Sequence, residues 1–236
     1  MITQAIILAA GFGRRLRPLT DVTPKPLISV GHTTCLDETI QRLHKQGIKK
    51  IIVNTHHLAD QIHHHLQKYP EIVVSFEPEI LETGGGIANV LPFFGDQPFF
   101  SINADIWWWE NTVSPLKRLA QAWDANLMDM LLLLVRKDQA IGYYGLGDYH
   151  KDAQNRLQRP APLAPADYVF PGIQILSSAV FKKSKVWPCQ KVFSLTKIFA
   201  EAEQRQRLYG LEHDGLWADI GSLQGLEAAR QAIINP

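Results

Sequence analysis

The chain opens on an apolar run that predicts a buried β-strand. Residues 5–10 read Ala-Ile-Ile-Leu-Ala-Ala, and Gly11 and Gly13 follow directly. A run of this length and β-branched content is typical of a buried strand, and glycine is typical of a sharp turn that approaches a ligand. Backbone N–H groups in such a turn attract anions, and nearby full charges strengthen the attraction. Four cations follow within about one loop: Arg14, Arg15, Arg17 and Lys25. The opening of the chain therefore predicts a site for a triphosphate.

Two well-known phosphate-binding loops do not fit this turn. A dinucleotide fingerprint needs a third glycine where Leu16 stands, and a Walker loop needs a Gly-Lys-Ser/Thr sequence that is absent. An ordinary tight turn with a basic surface is the alternative for the two glycines taken alone. Arg15 and the segment Thr-Pro-Lys-Pro-Leu at 23–27 favour the phosphate site.

Short apolar strands alternate with amphipathic helical stretches through the first half of the chain. This order is typical of βαβ units and predicts an α/β fold of the Rossmann-like, doubly wound type, with a mainly parallel sheet flanked by helices. Ligands of such sheets bind beyond the carboxyl ends of the strands, where Gly11, Thr55 and Asp105 fall. The strands are predicted at 4–10, 50–55, 72–77, 98–104 and 128–135, with a further strand at 168–176 and a hairpin-like stretch at 208–220. The helices are predicted at 37–46, 58–68, 85–91, 115–125, 194–205 and 222–233.

The length of 236 residues predicts one compact domain over residues 1–236, because a chain of this size buries most of its surface without disulfide bonds or structural metals. Residues 136–170 lose the regular pattern and contain a Pro- and Ala-rich stretch. We predict that this segment forms a lid or a rim.

Composition limits the partners of the chain. A formal net charge of +1 argues against a broad nucleic-acid surface, since such surfaces carry a strong basic excess. No apolar run approaches the roughly 20 residues of a membrane-spanning helix, and no secretory leader is recognisable. Cys35 and Cys189 match no zinc or redox spacing and predict free thiols in a reducing compartment. We expect a cytoplasmic protein without nucleic-acid or membrane partners, as a monomer or a small homo-oligomer.

Residues 8–20 and the Pro-Lys-Pro-Leu segment at 24–27 resemble the signature of the sugar-1-phosphate nucleotidyltransferases, or nucleotide-sugar pyrophosphorylases. Further segments with the family's pattern occur in the family's order at 81–87, 103–105, 170–173 and 217–221. The resemblance implies that a sugar 1-phosphate attacks the α-phosphorus of a nucleoside triphosphate and that pyrophosphate leaves. Because the attacking phosphate is already ionised, the reaction needs positioning and charge neutralisation, without a covalent intermediate. We expect no C-terminal acyltransferase domain, and therefore a single reaction.

Asp105 and Asp219 each end an apolar stretch, so both carboxylates can converge on the ligand edge of the sheet. Mg²⁺ takes hard oxygen ligands, commonly one or two carboxylates together with substrate phosphates and waters. The resemblance implies that these are the family's two metal aspartates and that Mg²⁺ is the cofactor. An aspartate at a strand end is otherwise often a helix cap.

The resemblance also implies two catalytic cations. Arg15 is expected to hold the leaving pyrophosphate, because a planar guanidinium can grip two phosphate oxygens at once. Lys25 is expected near the α-phosphate as a point charge. Two solvated surface cations are the alternative. The residues expected to contact the nucleotide are Leu8, Ala9, Ala10, Gly11, Gly13, Gly84 and Gly85.

The glycine-rich residues 83–86 are predicted to form a loop before a short apolar helix, where backbone without a Cβ can approach a base or ribose. A flexible hinge is the alternative. Glu82 departs from the glycine common in glucose- and mannose-1-phosphate enzymes, and residues 81–87 are similar to the N-acetylmuramate 1-phosphate uridylyltransferase group. UTP and N-acetylmuramate 1-phosphate are therefore the expected substrates. Mannose-1-phosphate guanylyltransferase, glucose-1-phosphate uridylyltransferase and a catalytically silent nucleotide-binding regulatory subunit are the alternatives.

Gly145, Arg159 and Gly172 resemble the family's positions for the sugar 1-phosphate. Two other clusters are open to a functional or a structural interpretation. Trp107, Trp108 and Trp109 follow Asp105, and aromatic faces suit sugar rings, although core packing explains them equally well. The histidines within 56–65 suggest zinc, but consecutive residues on a helix point in different directions, which argues against a shared site.

Overall fold

A mixed eight-stranded sheet forms the centre of the computed structural model, which describes residues 2–234. The strands are β1 (Gln4–Leu8), β2 (Ser29–Val30), β3 (Thr33–Thr34), β4 (Lys50–Thr55), β5 (Val73–Phe76), β6 (Phe99–Asn103), β7 (Ile106–Trp108), β8 (Met130–Arg136), β9 (Ala140–Ile141), β10 (His150–Lys151), β11 (Leu157–Gln158), β12 (Tyr168–Val169), β13 (Ile173–Leu176), β14 (Leu208–Glu212) and β15 (Trp217–Asp219). The helices are α1 (Leu19–Val22), α2 (Cys35–Lys45), α3 (Ala59–Leu66), α4 (Glu82–Phe94), α5 (Pro115–Ala122), α6 (Ala179–Lys182), α7 (Thr196–Gln204) and α8 (Leu223–Ile234). The central strands run in the order β12, β8, β13, β6, β1, β4 and β5, with β14 paired to β8.

The first half of the chain builds the parallel part of the sheet, as predicted. β1 pairs in parallel with β4 and β6, and β4 pairs in parallel with β5. Helices cover both faces: Ile7 packs with residues of α2, α3 and α5, and Ile6 packs on the other face with residues of α4 and α7. Because neither face of β1 meets water, every residue of the strand after Gln4 is apolar. The carboxyl ends of β1, β4 and β6 therefore meet at one edge, where ligands bind in folds of this class.

A three-stranded sheet of β7, β15 and β9 follows from the carboxyl end of β6. β15 is antiparallel to β7, and its register places Asp219 opposite Ile106. α8 supports this sheet through Leu226, which packs in one apolar cluster with Trp107. Since Ile106 is the neighbour of Asp105, this pairing brings the two predicted metal aspartates to the same part of the molecule.

Two predictions for the second half of the chain are wrong. The strand expected at 168–176 breaks between β12 and β13, because the backbone at Gly172 turns to a φ of +88°. The hairpin expected at 208–220 does not form. β14 extends the central sheet in parallel with β8 and buries Leu208 in the main core, whereas β15 joins the small sheet, where Trp217 lies opposite Trp108.

The predicted helices are confirmed to within a few residues. Helix α4 extends beyond its predicted range of 85–91 at both ends. Within 136–170, β12 pairs with β8, β9 pairs with β15, and β10 pairs with β11. The role of this segment as a lid or a rim stays a prediction. In the described part of the chain, no helix combines the length and the apolar character needed to cross a membrane.

Candidate active site

Contacts before and within the glycine turn, residues 11–13 after β1, hold it in place. The Ala9 N–H donates to the side-chain oxygen of Asn54 at 2.8 Å, which ties the turn to the end of β4. Gly13 has a φ of +62°, and a Cβ at this residue would lie 2.7 Å from the Thr20 side chain. Phe12, at the tip, lies with its ring centroid 5.4 Å from those of His56 and His57. The turn is therefore held in one shape, and only glycine fits at residue 13.

A cavity of about 160 Å³ opens at this edge of the sheet. Five predicted nucleotide-binding residues line it, namely Leu8, Ala9, Ala10, Gly11 and Gly13, and Lys25 and Asp105 line it with them. Six further residues that were not among the predicted site residues also line it: Pro26, Asn54, Ile80, Glu82, Thr83 and Asn103. Asn54 and Asn103 each follow an apolar stretch of a strand that flanks β1. Their position at the ends of these stretches could have identified them as site residues from the sequence.

Asp105 lies in the tight turn between β6 and β7 and forms an ion pair with Lys25. The distance between Lys25 Nζ and Asp105 Oδ2 is 2.5 Å. Lys25 is only 7% exposed, whereas about a third of the Asp105 side chain is exposed. Both residues line the cavity, and the lysine is the more buried partner of the pair.

Asp219 ends β15 and faces the other predicted catalytic cation. Arg15 Nη1 lies 3.8 Å from Asp219 Oδ2, and the Gly221 N–H donates to Asp219 Oδ1 at 2.8 Å. A Cβ on Gly221 would clash with the Arg15 guanidinium, so this glycine leaves room for the pair. The Arg15 side chain is 70% exposed and is free to turn toward a ligand.

The two aspartates fit a hard divalent cation. Asp105 offers its carboxylate from the turn before β7 and Asp219 from the adjacent strand β15, and within residues 2–234 no group of three or more His, Cys, Asp or Glu side chains is arranged to hold a metal. A cation at Asp105 and Asp219 would therefore complete its coordination with water and substrate oxygens, which is the usual arrangement for Mg²⁺. Mg²⁺ itself stays a prediction.

Gly84 and Gly85 do not lie in a loop, contrary to the prediction, but inside helix α4. Their N–H groups both donate to the Phe193 carbonyl, at 2.9 and 3.1 Å. A Cβ on Gly84 would clash with the Phe193 ring, and one on Gly85 would clash with the Lys191 carbonyl. These two glycines let α4 pack against residues 191–193, and the cavity is lined instead by the preceding Glu82 and Thr83.

The start of α4 combines close packing at Gly86 with a strained backbone at Glu82. A Cβ on Gly86 would lie 2.7 Å from both the Asn54 amide and the Glu77 carboxylate. Glu77 is 1% exposed and accepts hydrogen bonds from Asn54 Nδ2 at 2.7 Å and from the Leu81 N–H at 3.0 Å. Glu82 adopts a φ of +58°, a strained conformation for a residue with a Cβ. The buried Glu77 thus positions Asn54 behind the cavity.

The sequence profile of the family described as "Nucleotidyl transferase" matches residues 4–235. The chain belongs to this family. Among curated proteins it is 33% identical to the N-acetylmuramate alpha-1-phosphate uridylyltransferase of Caulobacter vibrioides, over 95% of the chain and 94% of that protein. It is 30% identical to the mannose-1-phosphate guanylyltransferase catalytic subunit beta of Drosophila melanogaster, over 93% of the chain and 59% of that protein.

The fold agrees with this membership. The structure of a UDP-glucose pyrophosphorylase complexed with UDP-glucose superimposes with a TM-score of 0.80 at 17% identity, covering 100% of this chain and 99% of that one. The prediction of a sugar-1-phosphate nucleotidyltransferase is therefore confirmed.

A second cavity of this nucleotidyltransferase, of about 430 Å³, contains the predicted sugar-phosphate residue Arg159. Its guanidinium donates to the Tyr149 hydroxyl at 3.3 Å and to the Thr196 carbonyl at 3.4 Å. Asp148 lies in the same cavity, and burial raises the pKa of its carboxyl. Arg159 does not line the first cavity, so the structure separates it from Lys25 and Asp105.

The other two predicted sugar-phosphate residues lie in different surroundings. Gly172 lines neither cavity, but its carbonyl accepts from the N–H of Asn103, which lines the first, at 2.9 Å, and Phe170, two residues earlier, lines the second. Gly145 lines neither of the cavities described here, and a Cβ on it would clash with the Tyr143 ring.

The tryptophan and histidine clusters of this nucleotidyltransferase have structural contacts. Trp107 and Trp108 are buried in β7, and the Arg42 guanidinium lies 4.2 Å from the Trp108 ring centroid. The histidine rings contact four separate groups, at 2.8–2.9 Å: His56 contacts the Glu77 carbonyl, His57 the Thr20 carbonyl, His63 the Thr55 hydroxyl, and His65 the Asp37 carboxylate.

Proposed function

We propose that this nucleotidyltransferase transfers a uridylyl group from UTP to N-acetylmuramate 1-phosphate and releases pyrophosphate. The observation that carries the proposal is the cavity lined by the glycine turn, Lys25 and Asp105, with Asp219 opposite Ile106 on the neighbouring strand β15. This arrangement offers N–H groups and cations to phosphates, and carboxylates to a divalent metal. The choice of nucleotide and acceptor is supported by the Caulobacter relative, which matches the chain over 94% of its own length.

The contribution of the chain to this reaction is to bind and orient two anions that repel each other. The Gly11–Gly13 turn presents backbone to the triphosphate, and the buried Lys25 places a positive charge where charge develops at the α-phosphate. Arg15 turns from Asp219 to grip the leaving pyrophosphate with its planar guanidinium. Mg²⁺ held by Asp105 and Asp219 would neutralise phosphate oxygens. The acceptor phosphate is already ionised, so no protein base is needed.

We place the acceptor sugar toward the second cavity, with its phosphate near Gly172. This cavity combines the apolar ring of Phe170 with the polar groups of Asp148, Tyr149 and Arg159, a combination that suits a sugar. Arg159 is the cation of this cavity and can pair with an anionic group of the acceptor. N-acetylmuramate 1-phosphate has such a group beyond its phosphate, since its lactyl ether ends in a carboxylate. The proposed setting of the reaction is the cytoplasm, in the recycling of cell-wall sugars.

Transfer to mannose 1-phosphate or glucose 1-phosphate is the second candidate. It is supported by the Drosophila relative, although the chain spans only 59% of that protein. A non-catalytic regulatory subunit is disfavoured because the chain has Arg15, Lys25, Asp105 and Asp219, which form two ion pairs, Lys25 with Asp105 and Arg15 with Asp219.

Pyrophosphate release tests the proposal. The protein with Mg²⁺ is given UTP, GTP, dTTP, CTP or ATP, each with the 1-phosphates of N-acetylmuramate, glucose, mannose and N-acetylglucosamine. We expect release with UTP and N-acetylmuramate 1-phosphate. Release with a different pair would keep the mechanism and replace the substrates, and no release with any pair would favour the regulatory subunit.

A further inference from the structure

Helix α1 follows the glycine turn, and two of its carbonyls lack a donor within the helix. The Thr20 carbonyl would accept from the N–H of residue 24, but Pro24 has no N–H. Val22 is the last residue of α1, so its carbonyl also has no partner in the next turn. Both carbonyls therefore need donors from outside the helix.

Two side chains near the start of α3 supply these donors. His57 Nε2 lies 2.8 Å from the Thr20 carbonyl oxygen, and Gln61 Nε2 donates to the Val22 carbonyl at 2.9 Å. A carbonyl oxygen can only accept, so His57 Nε2 carries a proton in this contact. The two hydrogen bonds tie α1 to the region that follows β4.

The bond from His57 is passed on to the glycine turn through Thr20. Thr20 is 1% exposed, and its hydroxyl donates to the Gly13 carbonyl at 2.9 Å. Its methyl group lies where a Cβ on Gly13 would be, at 2.7 Å. The His57 ring also lies beside Phe12 at the tip of the turn, with 5.4 Å between the ring centroids. His57 therefore supports the turn at Gly13 and at Phe12.

The segment that carries Arg15 has few other anchors. Of residues 14–22, only Leu16 and Thr20 are buried, and all the others are exposed. A segment with so few buried groups opens easily. Neither His57 nor Gln61 lines the first cavity, so each can act on a ligand there only through this segment.

We propose that His57, assisted by Gln61, is a positioning residue of the reaction. It holds α1 against the glycine turn, so that Gly13 and Arg15 are in place before the triphosphate binds. Groups that are ordered in advance cost less to arrange on binding and in the transition state. This inference rests on the proposed function for the roles of the turn and of Arg15 toward the triphosphate.

The first test is limited proteolysis of the native protein by trypsin, without ligands. Cleavage after Arg14 or Arg15 requires the segment to open locally, and its rate follows the population of the open form. His57→Phe keeps a ring beside Phe12 and removes the donor, so we expect cleavage roughly tenfold faster than in wild type, since the buried Thr20 carbonyl loses its partner. His57→Gln offers an amide N–H in place of the imidazole N–H, and we expect a rate close to that of wild type.

Two further variants separate the local effect from a general loss of folding. Gln61→Met removes the other donor at an exposed residue, and we expect cleavage a few fold faster than in wild type with an unchanged Tm. His64→Phe is the matched control, because His64 is an exposed histidine of the same helix and makes no contact with α1 in the described structure. Its cleavage rate should equal that of wild type.

The second test is turnover with the substrate pair that the wild type uses. In His57→Phe we expect kcat to fall roughly tenfold and KM for the triphosphate to rise a few fold, while KM for the sugar phosphate stays within about twofold. A lower folded fraction alone would leave both KM values unchanged. His57→Gln should restore kcat and KM together.

Cleavage of His57→Phe at the wild-type rate, or no recovery in His57→Gln, would overturn the inference. The proteolysis needs neither the nucleotide nor the sugar. The expected cleavage rates in a protein that releases no pyrophosphate from any substrate pair would refute the proposed function and leave the anchoring of the turn by His57 standing. The expected cleavage rates together with wild-type kcat and KM in His57→Phe would refute the positioning role alone.

Discussion

The two aspartates of the site should differ in what their loss does to stability. Asp105→Asn leaves the ammonium of Lys25, 7% exposed, without its countercharge. Removing one partner of a fully buried pair costs about 3–5 kcal/mol, and the exposure of Asp105 to water reduces this to about 2 kcal/mol. Asp219→Asn breaks a contact of 3.8 Å to an Arg15 side chain that is 70% exposed, so its cost is below about 1 kcal/mol.

Thermal and urea unfolding of both variants measure this difference. For a domain of this size, about 2 kcal/mol corresponds to a fall in Tm of roughly 4–8 °C for Asp105→Asn. Asp219→Asn, at below about 1 kcal/mol, should lower Tm by less than about 4 °C. A double-mutant cycle locates the cause, because adding Lys25→Met to Asp105→Asn removes the unpaired charge and should restore most of the lost stability. Equal Tm values for the two aspartate variants, or no recovery in the double variant, would refute the assignment of Asp105 as the partner of a buried cation.

Two further predictions concern the glycine turn and pH. Gly11→Ala should leave the free energy of unfolding within about 0.5 kcal/mol of wild type, because a Cβ there meets no atom within 4 Å. Gly13→Ala should lower the free energy of unfolding by about 1–3 kcal/mol, because the φ of Gly13 is +62° and the added Cβ would lie 2.7 Å from the Thr20 side chain. Urea unfolding measures both, and equal values would contradict the described turn. Burial lowers the pKa of His213 below its usual 6.5, so below this pH the unfolded chain binds a proton that the folded protein does not bind. The free energy of unfolding should therefore fall as pH drops below about 6.5, by at most about 1.4 kcal/mol per pH unit from this residue. The slope should be shallower in His213→Gln between pH 6.5 and 5.5, and an unchanged slope would show that another group titrates there.

The sequence predicted those parts of the site that depend on neighbouring residues. The apolar run of β1 and the glycine turn behind it are local signals, and the cavity lies where they indicated. The carboxyl ends of parallel strands meet at one edge by geometry, which explains why Asp105 could be placed near the turn. The pairing of Asp219 with the β7 region is a contact across more than 100 residues, and it was not predicted, since residues 208–220 were expected to form a hairpin.

The errors arose where a distant contact decides the local structure. Residues 83–86 are rich in glycine, which disfavours helices, and were predicted as a loop in which backbone without a Cβ approaches a base or ribose. In the fold, Gly84 accommodates the ring of Phe193 and Gly86 accommodates the Asn54–Glu77 pair, so close packing outweighs this preference. Glu77 was missed for the same reason, since its role follows from its burial against Asn54 and not from any motif.

The most direct test of the central claim is turnover by Asp219→Asn, because the structure expects this variant to fold as wild type does. Pyrophosphate release is measured with Mg²⁺, UTP and N-acetylmuramate 1-phosphate, or with whichever substrate pair the wild type turns over. Loss of one preorganised electrostatic group predicts a fall in kcat of roughly 10²- to 10³-fold. The account predicts that fall together with a Tm no more than about 4 °C below that of wild type. Turnover close to that of wild type would contradict the assignment of Asp105 and Asp219 as the metal-binding centre of the reaction.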